Sequence, residues 1–133
     1  MQVTGVDHVN ILTDDLDGTA TFYQDLLGLR RGESAGAVMG FKGAWMHDAQ
    51  GNAIIHISWN DPARDFGADH DIGGTTGAVH HVAFRCQGFD AMREHLEQLG
   101  IEHRVMERPD FSFRQITLCD PNNINLELNF AGD

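Results

Sequence analysis

The stretch AVHHVAFRC, Ala78–Cys86, sets two histidines side by side in a run that otherwise reads as a strand. Successive side chains of a strand point to opposite faces, so alternation admits only one of His80 and His81 to the inner face. A second stretch decides between them. VDHVNI (Val6–Ile11) lies over VHHVAF (Val79–Phe84) at an offset of 73, which pairs His8 with His81. His8 is in phase with Val6 and Leu12, and His81 with Val79 and Ala83. His80 takes the phase of Asp7 and is expected to face solvent or a helix.

The match continues outward. LGL (Leu27–Leu29) lies over LGI (Leu99–Ile101) at 72, and NAIIHISW (Asn52–Trp59) over NINLELNF (Asn123–Phe130) at 71. The last alignment pairs Asn52 with Asn123, His56 with Glu127 and Trp59 with Phe130. Single-residue losses in loops are the expected cause of the drift. The chain therefore reads as an internal duplication of a strand–helix–strand–strand–strand unit.

Local signals fill in that unit. Val3–Leu12 alternates as a strand. A helix follows, with cap candidates Thr13 and Asp14, a face of Leu16, Phe22, Leu26 and Leu27, and a stop at Gly28. Strands are predicted around Leu29–Glu33, Ala37–His47 and Asn52–Trp59. NDPARDFGADHDIGGTTG, polar and glycine-rich, reads as a linker. The second unit runs through a strand at Gly77–Cys86 and a helix with Phe89, Met92, Leu96 and Leu99 on one face, stopping at Gly100. Strands then follow near His103–Glu107, Arg114–Leu118 and Ile124–Phe130. The expected class is α+β: one domain over 1–133, with module one at about 3–60, a linker at 60–77 and module two at about 78–131.

Composition narrows the function. The 133 residues are 41% hydrophobic and 22% charged, which is globular rather than disordered. No apolar run approaches the ~20 residues of a membrane span, and the N-terminus does not read as a signal peptide, so a cytoplasmic protein with no membrane partner is expected. A net charge of −11 argues against nucleic acid, whose phosphates would be repelled. Cys86 and Cys119 read as reduced core or near-core thiols.

Eight histidines are a first hint of chemistry. His8, His56, His81 and Glu127 occupy two repeat-related pairs of inward strand positions. A buried polar group costs free energy unless it is partnered. One divalent metal ion would satisfy all four, and imidazole with carboxylate suits Zn, Fe, Mn, Ni or Co. The competing explanation for each is an ordinary hydrogen-bonded core residue.

On these stretches the sequence resembles the vicinal oxygen chelate superfamily of glyoxalase I, fosfomycin resistance proteins, methylmalonyl-CoA epimerase, extradiol dioxygenases and bleomycin-binding proteins. DHVNILTDDLDGTATFYQDLLGL is similar to the family's opening strand and helix, HHVAFRC to the start of its second module, and DPNNINLELNF to its closing turn and strand. The resemblance implies two βαβββ modules whose curved sheets form a metal-holding cleft. It implies ligands at His8, His81 and Glu127, with His56 where glyoxalase I has a glutamate. It implies one metal ion per site, a substrate bound through adjacent oxygens, and stabilisation of an enolate-type intermediate. By the same resemblance Glu127, or after it His56, is the catalytic base.

Parity adds the substrate-binding candidates Asn10, Ser58, Gln115, Thr117 and Asn125, with Asn129 beside the carboxylate. Arg85 could reach the cleft rim, whereas the phase of Arg114 points it away. Tyr23 reads as packing, and His47, His70, His95 and His103 as surface residues. Three function classes stay open. They are a metal-dependent isomerase or lyase, an Fe(II) or Mn(II) extradiol-type dioxygenase using His8, His81 and Glu127 as a facial triad, and a metal-free small-molecule-binding resistance protein. A homodimer is expected by resemblance. The eighteen-residue linker, able to span about 55 Å, permits pairing of modules within a chain or exchange between two.

Overall fold

The computed structural model describes residues 1, 6–33, 42–61, 76, 78–108 and 113–131. The linker residues 62–75 with His70, the expected strand extension over 37–41, and residues 3–5 and 77 of the expected first and fifth strands lie outside the described residues. The chain divides into two compact units, Met1–Ile72 and Gly73–Asp133. The fold is α+β and is built from two βαβββ modules.

The first module runs β1 (Val9–Thr13), α1 (Leu16–Leu27), β2 (Arg30–Glu33), β3 (Gly43–His47) and β4 (Ala53–Trp59). The second runs β5 (Val82–Cys86), α2 (Phe89–Leu99), β6 (His103–Arg108), β7 (Phe113–Cys119) and β8 (Asn125–Ala131). Each forms a four-stranded sheet, ordered β1-β4-β3-β2 or β5-β8-β7-β6. In both, the first strand pairs parallel with the last and the other neighbours are antiparallel.

One face of each sheet is covered by its own helix. Ile11, Ala44, Met46, Ile55 and Ile57 pack with Ala20, Tyr23 and Leu26, and Ile116, Leu126, Leu128 and Phe130 with Phe89 and Leu96. This corrects the expected phase of the histidine strands. In β1 the buried residues are Ile11 and Thr13, so His8, Asn10 and Leu12 lie on the opposite, open face. Val6 and Val79, the expected inward markers, are 88% and 58% exposed. The alternation holds but the buried side is the other one, because a sheet with a single helix buries only one of its faces.

The helix faces differ from expectation as well. On α1 the buried residues are Thr19, Ala20, Tyr23 and Leu26, while Leu16, Phe22 and Leu27 are not fully buried. The buried hydroxyls of Thr13 and Thr19 satisfy each other at 3.0 Å. On α2 Phe89 and Leu96 are buried, Met92 is half-buried and Leu99 is exposed. The α1 N-cap is Asp15 rather than Thr13 or Asp14. Its carboxylate accepts from Gly18 N at 2.9 Å, and a Cβ at residue 18 would fall on that carboxylate.

The duplication is visible in the backbone. Both helices end on a left-handed glycine, Gly28 at φ 64° and Gly100 at φ 66°. The β3–β4 and β7–β8 hairpins use the same turn. Asp48 Oδ1 accepts from Gln50 N and Asn52 N, and Asp120 Oδ1 accepts from Asn122 N and Ile124 N. The left-handed turn position is Gly51 in one and Asn123 in the other.

The offset drift lies in regular elements rather than in loops. Helix α1 has 12 residues and α2 has 11, which takes 73 to 72. In β4, Ala53 pairs with His47 and Ile55 with Met46, leaving Ile54 as an extra residue that takes 72 to 71. β8 has no such bulge.

Candidate metal centre

In the first module His8 stands just before β1, and the register sets Asn10 beside His56 on β4, with His56 beside Trp45 on β3. The imidazoles of His8 and His56 have centroids 6.3 Å apart. Trp45 holds both: it stacks on His56 at 4.3 Å and 11°, and meets His8 edge-on at 4.8 Å. Asp7 Oδ2 lies 2.6 Å from His8 Nδ1. Donation from Nδ1–H to that carboxylate leaves the Nε2 lone pair available as a ligand. The Asn10 amide donates to His56 Nδ1 at 2.7 Å and to Ser58 Oγ at 3.0 Å. With Nδ1 accepting, the neutral His56 ring carries its proton on Nε2. Burial, and next the neighbouring His8, hold the His56 pKa below its ordinary value, which favours that neutral ring.

The second module repeats the arrangement with one carboxylate. His81 Nε2 lies 3.7 Å from Glu127 Oε2. Two ligands each about 2.1 Å from one ion are separated by roughly 3–3.5 Å, so at 3.7 Å the pair faces each other slightly wider than ligands of a common cation. Glu127 is held from behind: Asn129 Nδ2 donates to Glu127 Oε1 at 2.9 Å, and Gln115 Nε2 donates to Asn129 Oδ1 at 3.0 Å. Thr117 sits directly across from Glu127. Asn125 donates to the His80 carbonyl at 2.9 Å and accepts from Cys119 Sγ at 3.3 Å.

His80 departs from its expected orientation. It shares a cavity wall with His81, and the two Nδ1 atoms lie 3.0 Å apart. Both residues precede β5, where strand alternation does not govern side-chain direction. The residue before each histidine thus reaches its Nδ1, Asp7 in one module and His80 in the other. Arg114 lies on the helix side, 3.7 Å from Asp90 and against Phe89, and Arg85 is exposed. His103 lines the cavity rather than plain surface, its Nδ1 2.8 Å from the Ile101 carbonyl. Cys119 is exposed on the open face rather than near-core, and Cys86 is half-buried, its thiol pKa pushed up by burial.

The donor chemistry fits a first-row divalent ion: imidazole nitrogen and carboxylate oxygen, each with a hydrogen bond fixing its far side. Among the described residues no group of three or more His, Cys, Asp or Glu is gathered, so neither module by itself presents a full ligand set. Sequence reasoning does not single out Trp45, Asp7 or His80 as site residues. Asp7 and His80 adjoin the candidate ligands, a usable signal. Trp45 is hidden by the bulge, because counting back evenly across the Asp48–Asn52 turn brings Ala44, not Trp45, opposite His56.

No helix of the described residues is long and apolar enough to cross a membrane. A curated Arabidopsis thaliana protein named Glyoxylase I 4 is 26% identical over 134 residues, covering 96% of this chain and 71% of its own. A mutant form of the fosfomycin resistance protein FosX from Listeria monocytogenes, complexed with Mn(II) and 1S,2S-dihydroxypropylphosphonic acid, has a TM-score of 0.69 at 22% identity, covering 98% and 94% of the two chains. A virulence protein from Salmonella typhimurium gives 0.73 at 15% identity, covering 98% and 99%. The model of one family matches residues 5–128. Two copies of a βαβββ unit, with repeat-related donors on their open faces, accord with that match: the chain belongs to the Glyoxalase/Bleomycin resistance protein/Dioxygenase superfamily.

Proposed function

We propose that the protein is a metal-dependent isomerase or lyase that binds a small substrate through two adjacent oxygens and moves a proton next to a carbonyl. The observation that carries this reading is the convergence of His81 Nε2 and Glu127 Oε2, with Asn129 and Gln115 fixing the carboxylate. In the proposal His8, His81 and Glu127 hold one divalent ion, Zn, Fe, Mn, Ni or Co. Two donors in one module are too few, since such sites use three or more protein ligands. When bound, the ion supplies Lewis acidity toward negative charge developing on the substrate's oxygens.

Each residue then has a task. Glu127 Oε1 is engaged by Asn129, so Oε2 would serve as the ligand oxygen and, once detached from the ion, as the oxygen that can accept a proton. The same carboxyl can return that proton to the neighbouring carbon, and His56, kept neutral with its proton on Nε2, can donate a hydrogen bond to the substrate. Ligation by His56 through Nε2 instead would require the proton to sit on Nδ1 and the Asn10 amide to turn over, so that its Oδ1 accepts a hydrogen bond from Nδ1–H. Ser58 and Thr117 line the open faces as hydrogen-bonding groups for substrate, whereas Asn10, Asn125 and the buried Gln115 hold other site residues in place.

The donor inventory of two histidines and one carboxylate also suits O₂ chemistry, which keeps an Fe(II) or Mn(II) dioxygenase as the second reading. Elemental analysis after equilibration with each metal, followed by aerobic and anaerobic assays on α-hydroxycarbonyl and catechol substrates, tests both. About one ion per chain, lost in His81→Ala, with O₂-independent turnover is expected. Equal metal content in wild type and His81→Ala overturns the ligand set. Oxygen-dependent catechol turnover selects the second reading, and tight binding of a small molecule without metal selects a resistance protein.

The proposal includes a homodimer. Mixing inactive His8→Ala with inactive Glu127→Ala, unfolded and refolded together, regains activity if chains exchange modules. No recovery in verified heterodimers means that each chain completes its own site.

A further inference from the structure

The open face of the second module carries a cavity of about 580 Å³. Its wall includes His81 and Glu127 at one end, Thr117 in the middle, and Arg104 with Glu102 at the other. The register explains the order. Glu127 pairs with Thr117, and Thr117 with Arg104, so the three form one row across β8, β7 and β6. Directly opposed residues in antiparallel strands project to the same face. Two strand spacings of about 4.8 Å put the Arg104 Cα about 10 Å from that of Glu127.

Among the described residues the other placed cations are mostly engaged. Arg31 meets Asp17, Arg93 and Arg114 meet Asp90, and Lys42 rests on the Trp59 ring. Arg104 is exposed and has no ion pair among the described residues, and it is the Lys or Arg side chain on the cavity wall. In a chain of net charge −11, an unpaired guanidinium in the same cross-strand row as the candidate base runs against the general field. Its planar fork matches the oxygens of a carboxylate, phosphate or phosphonate.

The geometry points to Arg104 as the anchor for an oxyanion on the substrate, at the end remote from the two adjacent oxygens, with the Thr117 hydroxyl beside the path between them. The substrate class is then a small acid. A cavity of this size admits a metabolite-sized molecule. The inference rests on the metal reading above for the near end of the substrate and adds the far end.

Two hydroxamates test it, since both chelate through adjacent oxygens and only one carries a distant charge. Acetohydroxamate and succinic monohydroxamate are titrated calorimetrically into Mn(II)-loaded wild type, Arg104→Gln, Arg104→Lys and Glu102→Gln. Wild type is expected to prefer the acid by about tenfold, the worth of one charge-assisted contact. Arg104→Gln should bring the two within about twofold with unchanged manganese content, Arg104→Lys should retain part of the preference, and Glu102→Gln should increase it. No preference in wild type, or a preference that survives Arg104→Gln, overturns the anchor while leaving the metal reading intact. Failure of both hydroxamates to bind the manganese-loaded protein overturns the metal reading and the anchor with it.

Discussion

Trp45 lies flat against His56, with ring centroids 4.3 Å apart and planes 11° from parallel, while its edge meets His8. One indole therefore sets the tilt of both imidazoles in the first module. Its removal should loosen the pair without touching a ligand atom. Trp45→Ala is expected to weaken metal binding by about tenfold, and Trp45→Phe by less than about threefold. Addition of Co(II) should quench wild-type tryptophan emission, and Trp45→Phe should lose most of that quenching although Trp59 remains. Quenching of unchanged depth in Trp45→Phe would show that the ion does not bind beside this ring.

The carboxylate of the second module depends on an amide relay. Gln115 donates to Asn129, and Asn129 to Glu127. Asn129→Ala frees the carboxylate to rotate, and the expected loss in metal affinity is about tenfold to a hundredfold. Asn129→Asp should do worse than Asn129→Ala, because it sets a second negative charge against Glu127. Equilibrium dialysis with the three proteins reads the order directly, and the reverse order would mean that the added carboxylate has joined the ligands.

Acid stability should track the hairpin turn of the first module. The Asn52 side chain, ahead of several backbone N–H groups, holds the Asp48 carboxyl below its ordinary value of 3.8. A depressed carboxyl pKa contributes stability that is present above the unfolded value and is lost as pH falls through the folded one. Asp48→Asn should therefore flatten the dependence of stability on pH below about pH 4 and leave its shape near neutrality unchanged. Urea midpoints measured from pH 7 to pH 2.5 test this, and parallel curves for wild type and Asp48→Asn would contradict it.

The architecture is legible because a duplicated chain reports each element twice. Leu27–Leu29 over Leu99–Ile101 locates both helix ends, and His56 over Glu127 locates the closing strands. The candidate site residues are legible for the same reason, since His8 and His81 stand at matching places in the repeat, each one residue before its strand. Three things are not. Parity cannot tell which sheet face a lone helix will cover, so in sequence the open face reads as the core. His80 precedes its strand, outside the reach of alternation. The extra residue Ile54 shifts every cross-strand partner beyond it, so an even count places Thr117 correctly opposite Glu127 and misses Trp45 opposite His56.

In each module the two paired site residues stand just before the first strand and on the last one, which are neighbours in space, and they lie 48 or 46 residues apart in sequence, from His8 to His56 and from His81 to Glu127. The parallel contact between them closes the longest loop in the module, and loop-closure entropy makes such a contact slow to form. A growing chain accordingly has no donor pair until its fourth strand has emerged. Time-resolved metal uptake during refolding would then clock the closing of the sheets, lagging behind the hairpins and helices that need only nearby residues.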